Sequence, residues 1–222
     1  EKMYEKMPDE NKIMLDTQYR MPAEIADTIS EWFYGGKYYS ADFKKGLKSQ
    51  MPKLSDKPFV IIDTSKEKDR YERPIPKAGS DNNLEAEIIK ELIEYLTRND
   101  KSILDDIGII SAYKSQVKLI QEKLRGSIPH RVDEMVASLD SFQGQERDII
   151  IYSFTKSSKL SKERKRIGFL DELRRLNVAM SRCKKMLIII GDMDFLSTCE
   201  NVEIDEYGDP VSEYNEKRFS EF

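Results

Sequence analysis

Apolar residues along this chain fall into two patterns. Short continuous runs rich in isoleucine and valine stand at Phe59–Asp63, Ile107–Ser111, Met135–Leu139, Asp148–Tyr152 and Met186–Gly191. Most lack polar alternation and end in a small or polar residue, which predicts strands buried on both faces of a mainly parallel sheet. Between the runs, apolar residues recur at helical spacing. Leu84, Ile88, Leu92 and Leu96 return every fourth position, with Ile89 and Ile93 beside them. Asn82, three residues before Glu85, predicts an N-cap with its capping-box partner. A second helix is expected to open at Ser115, with Leu119, Ile120 and Leu124 inward. A third opens at Pro22 and carries Ile25, Ile29 and Trp32, with Phe33 and Tyr34 also read as core. A fourth runs from about Leu170 to Arg182, with Leu173, Leu176 and Met180 inward. Strands alternating with helices predict one α/β domain with a three-layer core, spanning residues 1–199. The stretches Lys37–Lys57 and Thr64–Ser80 lack a period and are expected to be surface excursions.

Composition supports a sizeable core, since 39% of the 222 residues are hydrophobic and 9% aromatic. A wholly disordered chain is excluded. The net charge of −4 excludes a polybasic, histone-like protein. That charge is unevenly spread. Residues 200–222 hold eight acids against Lys217 and Arg218, leaving a body of +2. This acidic tail is expected to be disordered or to lie over the surface. Lys156–Arg166 holds six bases and one acid. By itself such a run is a solvated loop, but its place after a buried strand raises the prospect of phosphate contact.

Only Cys183, Cys199 and His130 could serve as soft metal ligands, too few for a structural zinc site. Two cysteines make no disulfide scaffold and point to a reducing interior, hence a cytoplasmic, nuclear or nucleoid protein. His130 reads as an ordinary loop residue. No apolar run is long enough to cross a bilayer, so no membrane partner is expected. The chain opens at Glu1 without an initiator methionine, as a segment cut from something larger would. No G-x-x-x-x-G-K-[ST] or G-x-G-x-x-G loop occurs, so the chain brings no phosphate cradle of its own.

Four segments carry a resemblance. Leu15–Pro22 (LDTQYRMP) resembles the L-x-x-Q-Y-R-M-x-P segment of superfamily 1 helicases, in the branch typified by the nonsense-mediated-decay helicase and senataxin. Ile107–Gln116 (IGIISAYKSQ) is similar to that family's I-G-V-I-T-P-Y-x-x-Q segment. Val136–Asp148 (VASLDSFQGQERD) resembles V-x-T-V-D-S-F-Q-G-x-E-x-D, and Arg174–Lys184 (RRLNVAMSRCK) resembles R-R-L-N-V-A-x-T-R-A-[RK]. The four occur in family order. Ala112 stands where the family prefers proline, and Ser138 and Ser181 replace threonines. Cys183 replaces an alanine, and Gln145 a frequent basic residue. Met21-Pro22 lacks the histidine often found between the two.

The resemblance implies a RecA-like fold, that of the second motor domain of an ATP-dependent helicase. Its partners would be single-stranded DNA or RNA and an N-terminal RecA-like domain holding the phosphate loop and the Mg²⁺ ligands. Arg20 and Arg182 match the two arginines that meet the γ-phosphate of ATP. A planar fork of donors suits the charge that spreads there in the transition state. Read without the resemblance, Arg20 is a helix-entry residue and Arg182 compensates a helix dipole. Tyr19 would stack on adenine, or else is a partly buried core tyrosine. Gln18 joins the nucleotide set. Glu146 would accept from the ribose hydroxyls, or else pair with Arg147. Gly144 would let the backbone approach phosphate, or else form a simple turn. Ser111, Tyr113, Gln116 and Ser138 form the expected nucleic-acid rim, with capping and turn roles as the alternative. The resemblance also implies 5′→3′ movement. The rival to a motor domain is a RecA-like scaffold that binds partners without catalysis.

Overall fold

A computed structural model describes residues 8, 11, 13, 15–48, 54–76, 79–98, 101–142, 144–158, 173–197, 203–204 and 210–212. The elements, in chain order, are β1 (Thr17–Gln18), α1 (Ala23–Tyr34), β2 (Tyr39–Ser40), β3 (Phe59–Asp63), β4 (Arg73–Ile75), β5 (Gly79–Asp81) and α2 (Asn83–Thr97). There follow β6 (Ile107–Ser111), α3 (Lys114–Leu124), α4 (Val132–Met135), β7 (Val136–Ser138), β8 (Arg147–Ser153), α5 (Leu173–Met180), β9 (Cys183–Gly191) and α6 (Met193–Ser197). Two short strands, β10 (Glu203–Ile204) and β11 (Pro210–Ser212), come last.

The five apolar runs of the sequence become one five-stranded sheet of order β3-β9-β8-β6-β7. Every pairing in it is parallel. Successive side chains of a strand face opposite ways, and each face has its own helices. On β8 and β9, Ile150, Tyr152, Leu187 and Ile189 join Ile25 and Ile29 of α1 and Met180 of α5 in one cluster. Ile149, Ile151, Met186, Ile188 and Ile190 join Ile89 and Ile93 of α2 and Ile120 and Leu124 of α3 in the other. This is the three-layer α/β architecture that the alternating pattern predicts. The central strands are buried on both faces, whereas β3 lies at the sheet's edge and leaves Ile61 exposed.

Several local expectations change. Lys114 begins α3, with Tyr113 at the N-cap, because the Ser115 hydroxyl donates to the Ser80 carbonyl at 2.6 Å. Asn82 does cap α2, accepting from the Glu85 amide at 3.1 Å. The Glu85 carboxylate does not return to complete a capping box; it turns into the core. The stretch from Thr64 to Ser80 contains the antiparallel pair β4–β5, and Lys37–Lys57 contributes β2, which pairs parallel with β1. Within the acidic tail the backbone forms the antiparallel pair β10–β11, so that segment is not wholly without regular structure. Most of the basic run 156–166, and the start of the predicted fourth helix, lie outside the described residues. Among the described residues no helix is long and apolar enough to cross a membrane.

Candidate nucleotide and nucleic-acid sites

The loop joining β1 to α1 is shaped by one buried side chain. Gln18 Nε2 donates to the Met21 carbonyl at 2.9 Å and to Ser40 Oγ at 2.8 Å. Its Oε1 accepts from the amides of Arg20 at 2.8 Å and Met21 at 2.9 Å. A primary amide offers two donors and two acceptor positions, and all four are used. In this structure the Gln18 amide is thus spent on the protein itself, although the residue still lines the cleft described below. It holds the turn that pushes Tyr19 and Arg20 outward. Tyr19 is 65% exposed, so the reading of a partly buried core tyrosine does not hold.

Arg20 leans on the next motif along. Its Nη1 donates to the Ser181 carbonyl at 3.1 Å, and its Nε pairs with Glu146 Oε2 at 3.2 Å. Lys184 Nζ takes the other Glu146 oxygen at 2.7 Å. The hydrogen bond from Lys184, with Arg20 adding to it, holds the Glu146 carboxyl below its usual range. The partners of Glu146 are thus Arg20 and Lys184, where the sequence offered Arg147. Arg182 sits one residue on, half-buried, with Nε donating to the Val178 carbonyl at 2.9 Å. Burial, and then the neighbouring Arg20, lower its pKa, yet a guanidinium titrates so high that it stays charged.

Gly144 has φ +85°, a left-handed backbone that a residue with a Cβ adopts only under strain. A Cβ there would meet open space, so conformation, and not crowding, calls for glycine. Gln143 lies outside the described residues.

Gln18, Tyr19, Arg20 and Glu146 share one open cleft of about 770 Å³, with Lys44, Lys48, Lys184 and Lys185 also in its lining. Five cations face one acid there. An exposed aromatic face, a ring of cations and an ionised carboxylate are donors and acceptors that a base, a polyphosphate and a ribose diol would fit. Lys184 was legible in the [RK] that closes the fourth motif. Lys44 and Lys48 were not, since they fall in a stretch without a period.

The cluster lies where β8 and β9 begin, with Arg147 paired to Cys183 in register. The expected nucleic-acid residues lie where β6 and β7 end, at Ser111 and Ser138. The sheet thus separates the two groups. Tyr113 is half-buried, lies against Gly79 and has Lys156 Nζ 5.5 Å from its ring centroid. Ser138 Oγ closes a turn, bonded to Ser141 Oγ at 2.8 Å.

Ser111 and Gln116 differ from expectation. They are 1% and 0% exposed, so neither can touch a strand directly in this structure. Gln116 accepts from the Asn82 amide at 2.7 Å and donates to the Asn82 carbonyl at 3.2 Å and to Ser153 Oγ at 3.0 Å. Ser111 Oγ meets Thr155 Oγ1 at 3.0 Å. The centre of this network is Glu85, whose Oε2 accepts from Ser153 Oγ at 2.6 Å and from the Thr155 amide at 2.9 Å. Its Oε1 is buried without a partner, and Thr155 has φ 70°. Sequence reasoning took Glu85 for a capping residue; no periodicity marks a buried acid.

Burial pushes the Glu85 carboxyl up from 4.5 to about 8. The fold favours its protonated form, so its contribution to stability is complete below about pH 4.5 and is lost as pH rises to about 8. Thermal unfolding between pH 5 and 8 should show wild-type stability falling by at most about 1.4 kcal/mol per pH unit from this group. Glu85→Gln should lack that component. Equal slopes in the two proteins would show that Glu85 does not titrate in this window.

The sequence model of the AAA domain family matches residues 1–194. The chain is 32% identical over 222 residues to DNA polymerase alpha-associated DNA helicase A of Saccharomyces cerevisiae, covering 92% of this chain and 31% of that protein. It is 32% identical over 194 residues to the Regulator of nonsense transcripts 1 homolog of Drosophila melanogaster, covering 82% of this chain and 15% of that protein. It is 31% identical over 195 residues to Helicase sen1 of Schizosaccharomyces pombe, covering 83% of this chain and 11% of that protein. The chain spans at most about a third of the length of these relatives. Among solved structures, the C-terminal domain of a possible DNA helicase from Lactobacillus plantarum WCFS1 superposes with a TM-score of 0.41 at 14% identity, covering 78% of this chain and 87% of that one.

Proposed function

We propose that this chain, which belongs to the AAA domain family, is the second RecA-like motor domain of an ATP-dependent nucleic-acid helicase. The observation that carries the reading is the convergence of Tyr19, Arg20 and Glu146, from two separate motifs, on one cation-rich cleft with Arg182 beside it. A scaffold has no need to hold these groups together.

In this reading Tyr19 stacks on the base and Glu146 accepts from the ribose hydroxyls. Arg20 and Arg182 direct guanidinium forks at the γ-phosphate. Mg²⁺, held by the first motor domain, neutralises phosphate charge when bound. Glu146 is already paired with Arg20 and Lys184. A ribose would compete for that carboxylate, and Arg20 would be released toward the phosphates as Lys184 keeps Glu146 ionised. Closing the cleft between the two motor domains brings the arginines into place, and hydrolysis reopens it, stepping the protein along one strand. The strand lies over the far end of the sheet, where Tyr113 is the half-buried contact and Ser138, 7% exposed, lies just beneath the surface, with Ser111 and Gln116 supporting them from below.

The test is the protein that carries this domain, assayed for magnesium-dependent ATP hydrolysis with and without single-stranded DNA and RNA. Stimulation by either polymer supports the reading and identifies the substrate. Absence of hydrolysis under every condition, with partner binding retained, would establish the scaffold instead.

A further inference from the structure

The segment that follows β2 and runs beside the cleft belongs to none of the four motifs. Phe43 lies in the 3₁₀ turn Asp42–Lys44 and is 64% exposed, next to Tyr19. The two ring centroids are 6.2 Å apart with planes inclined by 33°. One exposed phenylalanine would mean little by itself. This one is fixed to the Tyr19–Arg20 loop at several points. The Ala41 amide donates to the Gln18 carbonyl at 3.0 Å, and Lys44 Nζ donates to the Arg20 carbonyl at 2.8 Å. The pairing of β1 with β2, and the bond from Gln18 to Ser40, hold the same two segments together. Leu47 and Lys48, farther along, line the cleft with Tyr19.

Tyr19 and Leu47 in the lining, Phe43 against Tyr19 just outside it, and Lys44 and Lys48 alongside suit a ligand that is flat and apolar at one end and anionic at the other. We infer that Phe43 is a base-selecting residue, which with Tyr19 forms an open aromatic corner for the purine of a nucleoside triphosphate. The inference rests on the reading of this cleft as the nucleotide site. A base stacked on Tyr19 would be inclined by about 33° to the Phe43 ring, so the two side chains form a shallow corner that a flat ring system can contact on both sides. The two fused rings of a purine reach both side chains, while a single pyrimidine ring covers one.

The experiment compares wild type, Phe43→Ala and Phe43→Tyr in the protein that carries this domain. Steady-state hydrolysis is measured with ATP, CTP and inorganic triphosphate. Phe43→Ala should raise the KM for ATP about tenfold, with kcat and the KM for triphosphate nearly unchanged, as expected for one lost stacking partner. Phe43→Tyr should restore the ATP value. An equal rise for all three substrates would assign Phe43 to domain docking and overturn the inference, as would an unchanged KM for ATP. A wild type that hydrolyses triphosphate and ATP with the same KM would show that no base is recognised, also against it. Hydrolysis of none of the three would overturn the nucleotide reading itself.

Discussion

Replacing Arg182 with alanine should lower ATP turnover by about 10³–10⁵-fold in the protein that carries this domain, the range that arginine fingers supply. The geometry makes the prediction specific. The Nε of Arg182 donates to the Val178 carbonyl, which sets the guanidinium plane, and the proposed role falls to the terminal nitrogens. Arg182→Lys should recover little, since an ammonium offers a point charge in place of a planar fork. The loss should fall on kcat, with nucleotide affinity changed far less, because the proposed finger acts where charge develops in the transition state. Single-turnover hydrolysis with nucleotide binding measured separately checks this. Retention of most of the turnover would remove Arg182 from the catalytic set and leave it as a helix-terminal cation.

Gln18→Ala should be the second most damaging substitution. It leaves the buried Met21 carbonyl and two amides without the partners they have now. Each such loss costs about 1–3 kcal/mol, and part of it is recovered where water can enter. A net destabilisation of about 3 kcal/mol follows from that range. The same bonds set the direction of Tyr19 and Arg20, so ATP hydrolysis should fall together with stability. Chemical denaturation and ATPase assays on one preparation check both. If alanine is tolerated in stability and activity alike, the turn is held by other contacts. If Gln18→Glu, which keeps the acceptor and loses the donors, matches wild type, the Nε2 bonds to Met21 and Ser40 carry no weight.

The sheet was legible because parallel strands buried on both faces leave an unmistakable trace, runs such as Asp148–Tyr152 with no polar alternation. The helices of both outer layers were legible for the same reason at a different period. β1, β2, β4 and β5 were not: two or three residues long, they show no period, and their pairing depends on partners distant in the chain. Within the site, the sequence motifs pointed to residues but not to their division of labour. Gln18 and Gln116 belong to motifs that meet ligands, yet both amides are spent on the protein itself. Whether a glutamine faces a ligand or its own backbone is decided by burial, which a motif does not encode. Glu85 shows the converse. Its spacing from Asn82 matched a capping box, and half of that box formed, while the carboxyl found Ser153 and Thr155 across the core.

β8 begins one residue after Glu146 and ends at Ser153, the residue whose hydroxyl meets the buried Glu85. Its seven residues reach about 20 Å. β6 and β9 flank it on both sides, in continuous register from Ile149 onward with an irregularity on the β9 side between Arg147 and Ile149, and close-packed layers cover both faces. Such an assembly is nearly incompressible. A displacement that reaches Ile149 would be passed along the continuous ladder to Ser153. From Ile149 to Ser153 the strand is thus a stiff link toward the buried Glu85 at the far end of the sheet.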